Sequence, residues 1–398
     1  MQPIYIIDAV RTAIGKYGGA LSHTRPDDLL AHTITALLKR NENINVHDIE
    51  EVIAGAANQS GEDNRNVARM AALLAGLPLS VAGVTVNRLC ASGLQSIIDA
   101  ARALNNGDGD LYIACGVESM SRAPYVMAKP TTAFARTPQM YDTTMGWRFT
   151  NDILTQRNYT DAMGVTAENV ASMYHITRAA QDEFAYHSQA KYDTAKAANA
   201  FANEIIPIAI TNSKKEYVQF DVDEHPRLTS IEKLNTLPPA FISNGTVTAG
   251  NSSGINDGAA ATLLATQDYI HLHQLKPLAR IIGIGVAAIA PHIMGVGPVP
   301  AVHKALRRAQ VSIQDIGLWE LNEAFASQSL ACIQELGLDA TKVNVHGGAI
   351  ALGHPLGCSG VRITTTLVHA MQQRNVQYGV ATMCVGVGQG VAIVVELT

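Results

Sequence analysis

The chain has 398 residues, of which 47% are hydrophobic and 16% charged, and this composition is typical of a globular protein. Its length exceeds what one hydrophobic core usually supports, so two domains, or two domains with an insertion, are expected. The formal net charge of -5 leaves no basic surplus for holding nucleic acid or an anionic membrane, so an anionic ligand must be met by local groups.

Predicted strands and helices alternate along both ends of the chain, which is typical of an α/β protein. In the first hundred or so residues they are IYIIDAV, DDLLAHTITALLKR, EEVIAGAA, NVARMAALLAG, VAGVTVN, the helix after Cys90, and DLYIACGV. Residues 121 to about 250 interrupt this pattern with Pro- and Thr-rich stretches and one alanine-rich helical run, TRAAQDEFAYHSQAKYDTAKAANAF. The pattern resumes with ARIIGIGVAAI, AVHKALRRAQ, LWELNEA, FASQSLACIQELG, KVNVHGGA, GVRITTTLVHAM and QYGVATMCV. An interruption of this length is expected to shape a site.

The two alternating parts follow one plan and match residue by residue in places. Residues 36–53, ALLKRNENINVHDIEEVI, correspond to residues 304–321, KALRRAQVSIQDIGLWEL. Cys90-Ala-Ser-Gly93 likewise corresponds to Cys358-Ser-Gly360 before a helix. We interpret the chain as a duplicated α/β unit. The predicted domains are residues 1–269, with a loop domain inserted at about 121–250, and residues 270–398.

The cysteine pattern and the lack of targeting signals indicate the cellular compartment. They are odd in number and lack paired C-x-x-C spacing, which argues against a disulfide framework or a structural zinc site: Cys90, Cys115, Cys332, Cys358 and Cys384. The start, MQPIYIIDAVRTAIG, does not match a signal peptide, no stretch is long and apolar enough to span a bilayer, and the end, VVELT, is not a peroxisomal signal. We therefore expect a cytoplasmic protein.

Two segments present groups suited to nucleophilic catalysis. Cys90, in VTVNRLCASGLQS, lies between a predicted strand and a predicted helix, where the helical amides and dipole would lower a thiol pKa. A buried core cysteine is the alternative. In VNVHGGAIALGHPLGCSG, the glycines permit close approach of the backbone, and Pro355 restricts His354 to an extended conformation. A metal site joining His346, His354 and Cys358 fits no standard zinc spacing.

Two further segments follow predicted strands. CVGVGQG, which starts at Cys384, has alternate glycines whose backbone N–H groups could bind an oxyanion. Its spacing does not match a dinucleotide-binding fingerprint, and GIGVAA at 283 fails equally, so a Rossmann dehydrogenase is disfavoured. ELNEAFASQ carries Asn322 and Glu323, where Asn322 is either a helix N-cap or part of a site.

Together these four segments resemble the thiolase family, the 3-oxoacyl-CoA thiolases and acetyl-CoA acetyltransferases. VNRLCASG, NEAFASQ, GGAIALGHPLGCSG and CVGVGQG occur in the family's order, with TAGNSSGINDGAA between them, and the likeness covers the whole chain. The resemblance implies an α/β fold of two βαβαβαββ halves packed as α-β-α-β-α layers, with an inserted loop domain. It also implies an acetyl-CoA C-acyltransferase that cleaves 3-oxoacyl-CoA with CoA to acetyl-CoA and a shortened acyl-CoA, or catalyses the reverse condensation.

The resemblance implies catalytic roles residue by residue. Cys90 would be the nucleophile, activated by His354, and Cys384 the acid/base for the acetyl-CoA carbanion. Asn322 would hold a water that, with His354, stabilises the enolate oxygen. The N–H groups of Cys90 and Gly386 would form a second oxyanion hole. The chemistry agrees, because cleaving a carbon-carbon bond beside a ketone needs a soft nucleophile, a proton donor and donors for two oxyanions.

The resemblance also implies binding residues. Ser253 resembles a residue that contacts the pantetheine arm, Arg227 in DEHPR resembles an arginine near the CoA nucleotide, and Met163 lies at a substrate-binding position. An arginine suits phosphate recognition. Coenzyme A is expected as a substrate, and neither a cofactor nor a metal is expected.

Some positions depart from the acetoacetyl-CoA-forming members. Ala162-Met163-Gly164 stands where many of those members have His-Met-Gly, and His346 where many have asparagine. ALGHPLGCSG, SRAPYVM and DTTMGWRF look like degradative members, including those that act on 3-oxoadipyl-CoA in aromatic degradation. We therefore expect thiolysis of 3-oxoacyl-CoA, with 3-oxoadipyl-CoA among the better substrates, to exceed acetoacetyl-CoA synthesis. The candidate cations for a substrate carboxylate are Arg122, Lys129 and Arg148.

Alternatives stay open at this point. One is a short-chain acetyl-CoA acetyltransferase that makes acetoacetyl-CoA, and another is a condensing ketosynthase, which would use two histidines instead of His354 with Cys384. A cysteine hydrolase would need only Cys90 and His354, and a thiolase-fold CoA or lipid carrier would lack catalysis. Retention of Cys90, His354 and Cys384 favours a thiolase. The resemblance further suggests a homodimer or a homotetramer.

Overall fold

The fold is seen in a computed structural model that describes residues 3–211 and 215–398. Its N-terminal part alternates strands and helices as the apolar pattern predicts. The first helix has Pro26 at its start, acidic residues in its first turn and basic residues in its last, all favourable positions. The elements are β1 (Ile4–Thr12), β2 (Gly15–Lys16), α1 (Pro26–Arg40), β3 (Ile49–Gly55), α2 (Val67–Leu74), β4 (Ala82–Val86), α3 (Ser92–Asn106) and β5 (Leu111–Ser119).

Short strands and several helices fill the segment that follows β5. They are β6 (Tyr125–Met127), β7 (Met140–Asp142), α4 (Asp152–Gln156), α5 (Met163–Met173), α6 (Arg178–Ala197), β8 (Ile205–Ile206), β9 (Ile208–Thr211), β10 (Tyr217–Phe220) and α7 (Ile231–Asn235). Strands β6 and β7 form one antiparallel pair, and β9 and β10 form another. The alanine-rich run becomes the 20-residue helix α6, capped by the Thr177 side chain.

Strand β11 (Asn256–Thr266) and helix α8 (Gln267–His273) complete the first part of the chain, and the C-terminal part then repeats the alternation. Its elements are β12 (Ala279–Ala288), α9 (Pro298–Ala309), β13 (Leu318–Leu321), α10 (Ala326–Leu336), α11 (Ala349–Leu352), α12 (Leu356–Arg374), β14 (Tyr378–Val385) and β15 (Gln389–Leu397). The strand predicted for KVNVHGGA is wrong, since Val343 makes only an isolated bridge to Trp319. Asn344 takes a left-handed backbone (φ 47°), and its side chain bonds both the N–H and the C=O of Leu321 in place of a continuing strand.

The order of the strands shows the duplication. It is β4-β3-β5-β11-β1 in one half and continues as β12-β15-β14-β13 in the other. The first strands of the two halves, β1 and β12, lie side by side and antiparallel. Each half then has a parallel pair, β3 with β5 or β13 with β14, beside an antiparallel strand, β11 or β15, and β4 adds a second parallel pair with β3 in the first half. The prediction of a duplicated α/β unit is confirmed.

The helices and sheet halves form five layers. Helices α3 and α12 contact strands of both halves and lie between them, whereas α1 with α2 and α9 with α10 cover the outer faces. The side chains of strand β1 point to both faces of the sheet. Ile6 and Ala9 belong to the inner apolar cluster, and Ile7 and Val10 belong to an outer one. The α-β-α-β-α architecture is as predicted.

Glycines let α3 and α12 touch near their N-terminal ends. A Cβ on Gly93 would lie 2.5 Å from the carbonyl oxygen of Gly357, and a Cβ on Gly360 would overlap the backbone of Leu94. Only glycine permits so close an approach. Since Cys90 precedes α3 and His354 precedes α12, this contact brings the two predicted catalytic segments to one place.

All five cysteines are free, and four of them are buried. Burial raises the pKa of Cys358 and of Cys332 to about 12. Cys358 lies inside α12 rather than before it, which corrects its predicted correspondence with the position of Cys90. Across residues 3–211 and 215–398, no helix combines the length and apolar character that crossing a membrane requires.

Candidate active site

Cys90 lies in a tight turn between β4 and α3. Leu89, just before it, takes the left-handed conformation (φ 46°), which is a strained position for a leucine. The Ser92 hydroxyl holds the turn by accepting from the Arg88 N–H (2.9 Å) and donating to the Leu89 carbonyl (2.7 Å). Helix α3 begins at Ser92, so the half-buried Cys90 stands two residues ahead of it.

Burial raises the pKa of the Cys90 thiol to about 11. The backbone N–H groups of Gly386 and of Cys90 itself face the sulfur and lower the pKa, but by less than burial raises it. The lowered pKa predicted from the helix start is therefore wrong. The thiol is neutral at pH 7 and needs a base to act as a nucleophile.

Cys384 lies near the end of β14, and Gly386 lies in the turn that joins β14 to β15. Gly386 packs against the strained turn before Cys90, since a Cβ on it would lie 3.1 Å from the Leu89 side chain. Cys384 is 1% exposed, and burial together with the nearby Cys90 raises the pKa of its thiol. The structure thus brings together the two predicted reactive thiols and the predicted Gly386 amide.

His354 has one ring nitrogen held by its own turn. Its Nδ1 is 2.6 Å from the Ser359 hydroxyl, and that hydroxyl is 2.8 Å from the Pro355 carbonyl. Because a hydroxyl has one hydrogen, which the Pro355 carbonyl takes, we assign Nδ1–H as the donor to Ser359. Burial and the Arg362 charge lower the pKa of His354 to about 3. The neutral ring then keeps the Nε2 lone pair for accepting a proton.

Asn322 sets its amide over the His354 ring. Its Nδ2 lies 3.4 Å from His354 Nε2 and 3.5 Å from Nδ1, and its Oδ1 is buried without a hydrogen-bond partner among the described residues. An unpaired buried oxygen at this place suits a bound water or substrate group. The N-cap alternative is wrong, because α10 starts at Ala326 with Phe325 as its N-cap.

Two buried carboxylates hold the loops that carry these groups. Each accepts hydrogen bonds from three neighbours: Glu323 from Ser188 Oγ, Asn344 Nδ2 and Ile350 N, and Glu118 from Ala57 N, Asn58 N and Gly357 N. Burial raises the pKa of Glu118 to about 7. Sequence reasoning missed Glu118, although an acid near the end of the apolar strand DLYIACGV is an unusual signal.

Arg88 is a second residue that sequence reasoning missed. Its Nε donates to Gln95 Oε1 in α3, and its Nη1 donates to Gln389 Oε1 in β15, both at 2.7 Å. Arg88 therefore ties the Cys90 turn to the strand that follows the Gly386 turn. The sequence offers one signal for Arg88, its place between Asn87 and Cys90 in the predicted catalytic segment. Its partner Gln389 is 301 residues away in the sequence, so the contact itself is not visible there.

Met163, a predicted substrate-binding residue, adjoins the two thiols. It begins α5 and packs on an apolar cluster that contains Cys384 and Phe325. Its sulfur lies 3.8 Å from the place of a Cβ on Gly386. The inserted segment thus supplies one wall of the site.

Ser253 and Arg227, the other predicted binding residues, lie on one loop system beside the site. The Ser253 N–H donates to the Ala324 carbonyl (3.0 Å), two residues after Asn322. Arg227 is exposed, and its Nη2 donates to the Ala249 carbonyl (2.8 Å). The structure places Ser253 against the site and Arg227 farther out on the same loop.

The three candidate cations for a substrate carboxylate differ in their surroundings. Arg122 makes a two-pronged ion pair with Glu62 at 2.5 and 2.6 Å, so its guanidinium is already occupied and this candidate is wrong. Lys129 is exposed. Arg148 is half-buried.

Comparison with known proteins identifies the family. The model for "Thiolase, N-terminal domain" matches residues 4–268, and the model for "Thiolase, C-terminal domain" matches residues 275–397. The chain belongs to the thiolase family, which makes it an acyl-CoA acyltransferase and confirms the enzyme class expected from its motifs.

Individual relatives match over the full length. The chain is 52% identical to "Beta-ketoadipyl-CoA thiolase" of Escherichia coli, with 100% of both chains covered, and 53% identical to the protein of that name from Pseudomonas aeruginosa, with 99% of each covered. The crystal structure of human mitochondrial 3-ketoacyl-CoA thiolase in complex with CoA has a TM-score of 0.92 and is 40% identical, covering 100% of this chain and 98% of that one. These matches confirm the predicted fold.

Proposed function

We propose that this protein cleaves 3-oxoadipyl-CoA with CoA into succinyl-CoA and acetyl-CoA through an acyl-enzyme on Cys90. The observation that carries the reaction type is the contact of Cys90 with the Gly386 amide and with Cys384, beside the crossing of α3 and α12 that brings the segment of the His354–Asn322 pair to the Cys90 segment. The substrate is supported by the full-length relatives, which are named for it.

The first half-reaction begins with attack by Cys90 on the ketone carbon of the substrate. The thiol proton passes to His354 Nε2, and the N–H groups of Cys90 and Gly386 stabilise the ketone oxygen as it becomes an oxyanion. Cleavage of the bond between C2 and C3 leaves an enolate, whose oxygen accepts from Nε2–H and from a water held by Asn322. The Cys384 thiol gives its proton to C2, and acetyl-CoA departs.

The second half-reaction transfers the acyl group to CoA and restores the starting protonation of Cys90, His354 and Cys384. The CoA thiol gives its proton to the Cys384 thiolate and attacks the succinyl thioester of Cys90. The N–H groups of Cys90 and Gly386 again receive the oxyanion. The Cys90 thiolate leaves and recovers its proton from His354, so succinyl-CoA forms and the site is regenerated. The kinetics should therefore be ping-pong, because one product leaves before CoA enters.

Two measurements test this proposal. Incubation with acetyl-CoA followed by digestion should place the acetyl mass on the Cys90 peptide, and a label found only on Cys384 would overturn the assignment of the nucleophile. With free CoA, kcat/KM should be higher for 3-oxoadipyl-CoA than for acetoacetyl-CoA or a long-chain 3-oxoacyl-CoA, since this ratio reports transition-state binding. A clear preference for acetoacetyl-CoA would point instead to a short-chain acetyltransferase.

The proposal extends to the cellular setting. Five free cysteines, four of them buried, support a reducing compartment and hence the cytoplasm. β4 is an edge strand in the described sheet, and Val84 on it is 38% exposed, which supports assembly into a homodimer or homotetramer. Light scattering on the purified protein measures the assembly, and a monomer would contradict it.

A further inference from the structure

Arg148 is a half-buried arginine without a partner among residues 3–211 and 215–398. It lies in the loop between β7 and α4 and makes no hydrogen bond or ion pair with any described residue. The other arginines that are at least half-buried in residues 3–211 and 215–398 all bond a carboxylate, an amide or a carbonyl: Arg11, Arg69, Arg88, Arg122, Arg178, Arg280 and Arg362. The guanidinium nitrogens of Arg148 are not among the buried atoms that lack a partner, so they reach the surface and are open to an anionic ligand.

The loop that carries Arg148 is held at both ends. The Thr143 hydroxyl donates to the Pro124 carbonyl at 2.6 Å, and the Trp147 Nε1–H donates to the Asp161 carbonyl at 3.3 Å. The Asp161 carboxylate accepts from Asn169 (3.2 Å) and forms no ion pair with Arg148. The guanidinium is therefore carried by an anchored loop, which reduces the entropy lost when it binds a ligand.

Contacts connect this loop to the reacting sulfur. Asp161, on which Trp147 is anchored, stands two residues before Met163. The Met163 sulfur lies beside Gly386, and the Gly386 N–H faces Cys90. The loop of residues 143–149 is thus joined by contacts to the wall of the site that Met163 forms.

We infer that Arg148 binds the terminal carboxylate of the acyl chain and selects dicarboxylic acyl-CoA substrates over neutral ones of equal length. The inference rests on the proposed function, whose substrate ends in a carboxylate. A planar guanidinium matches a carboxylate with two parallel hydrogen bonds, and Arg122 is already used in this way by Glu62. Lys129 is exposed and offers a point charge without that geometry.

The test compares two substrates that differ only at the far end of the chain. 3-Oxohexanoyl-CoA has the same six-carbon chain as 3-oxoadipyl-CoA, with a methyl group in place of the carboxylate. The ratio of kcat/KM for the charged substrate to that for the neutral one should exceed one in the unmodified protein. In Arg148→Gln we expect this ratio to fall about 10- to 100-fold, the range for losing a hydrogen bond to a charged group. Arg148→Lys should fall less, because it keeps the charge.

The control is Arg157→Gln, an exposed arginine of the same inserted segment, which should keep the ratio within about twofold. If the unmodified protein prefers the charged substrate and Arg148→Gln keeps that preference, the inference about Arg148 fails while the proposed substrate stands. If the unmodified protein shows no preference, both fail.

A second measurement needs no variant, so it decides the matter even if Arg148→Gln does not fold. Phenylglyoxal modifies accessible arginines, and digestion with mass analysis follows the modification of the Arg148 peptide. Succinyl-CoA should slow modification of Arg148 severalfold, whereas butanoyl-CoA, which lacks the carboxylate, should not. Equal protection by both thioesters, or protection by neither, would overturn the inference.

Discussion

At the scale of single residues, the site combines a thiol and an imidazole that are both neutral. Burial raises the pKa of Cys90 to about 11 and, with the Arg362 charge, lowers the pKa of His354 to about 3. Each shift disfavours the charged form, so between these two values the pair holds one thiol proton and an unprotonated Nε2. Attack on the substrate therefore requires transfer of the thiol proton during bond formation rather than before it.

This neutrality predicts how Cys90 reacts with iodoacetamide in the absence of substrate. Only the thiolate reacts, and a raised pKa means that the thiolate appears at higher pH than for an ordinary cysteine. The rate of alkylation of the Cys90 peptide should rise with pH and reach half its maximum above pH 9. Cys115, fully buried on β5, is the internal control and should remain unlabelled in the folded protein. A midpoint near pH 7 would instead indicate a thiolate–imidazolium pair.

Removal of each thiol should abolish a different set of reactions. Cys384→Ala should still accept the acetyl group from acetyl-CoA on Cys90 but lose thiolysis by roughly 10²-fold or more, the scale of acid/base catalysis. Cys90→Ala should lose both. Intact-protein mass measures the acetyl group, and steady-state assay measures thiolysis. Near-normal turnover by Cys384→Ala would place the acid/base elsewhere.

At the scale of elements, the crossing of α3 and α12 decides how the Cys90 and His354 segments meet. A Cβ on Gly360 would overlap the backbone of Leu94. Backbone atoms, unlike the end of a flexible side chain, cannot move away to relieve the overlap. Gly360→Ala is expected to lower the free energy of unfolding by about 3 kcal/mol or more, the upper range for overpacking a core. Urea unfolding measures the loss.

The matched control for this helix crossing is Gly337→Ala. Gly337 ends α10 with φ 62° and has open space where its Cβ would lie, so the change costs only about 1 kcal/mol of backbone strain. Equal losses in the two variants would contradict the close contact between α3 and α12.

Most elements could be predicted from the sequence because their apolar periodicity is local. The turn at 343–348 could not, since Asn344 replaces strand pairing by bonding Leu321, a residue 23 positions away. The same limit applies to the site. Cys90, His354 and Cys384 are recognisable within short motifs, whereas the link from Arg88 to Gln389 depends on the folded chain. The sign of the Cys90 pKa shift was missed because the helix start is visible in the sequence and burial is not.

At the scale of the whole molecule, a buried charge cluster joins three parts of the chain. Arg11, on β1, bonds Glu204 at 2.6 Å and Asp223 at 2.7 and 3.1 Å, both in the inserted segment. Glu204 also accepts from Thr366 on the middle helix α12 (3.2 Å). The side chains of Arg11, Glu204 and Asp223 are no more than 1% exposed, so the attraction acts where water does not screen it.

Removing the cation of this cluster should destabilise the whole protein. Arg11→Met leaves two buried carboxylates unpaired, and we expect a loss of about 3 to 5 kcal/mol in the free energy of unfolding. The unpaired carboxylates should take raised pKa values in the folded state, so the variant should regain part of its stability as the pH falls toward their folded pKa values. Urea unfolding at pH 7 and pH 5 measures both effects.

Arg102→Met provides the comparison for this last variant. Arg102 pairs with Asp99 on the surface of α3 at 3.3 Å, with its side chain 54% exposed, and such pairs contribute at most about 1 kcal/mol. Its loss should change the free energy of unfolding little, and the variant should not gain stability at lower pH. If Arg11→Met unfolds like Arg102→Met at both pH values, the cluster does not hold the inserted segment to the two halves, and the apolar layers alone account for their association.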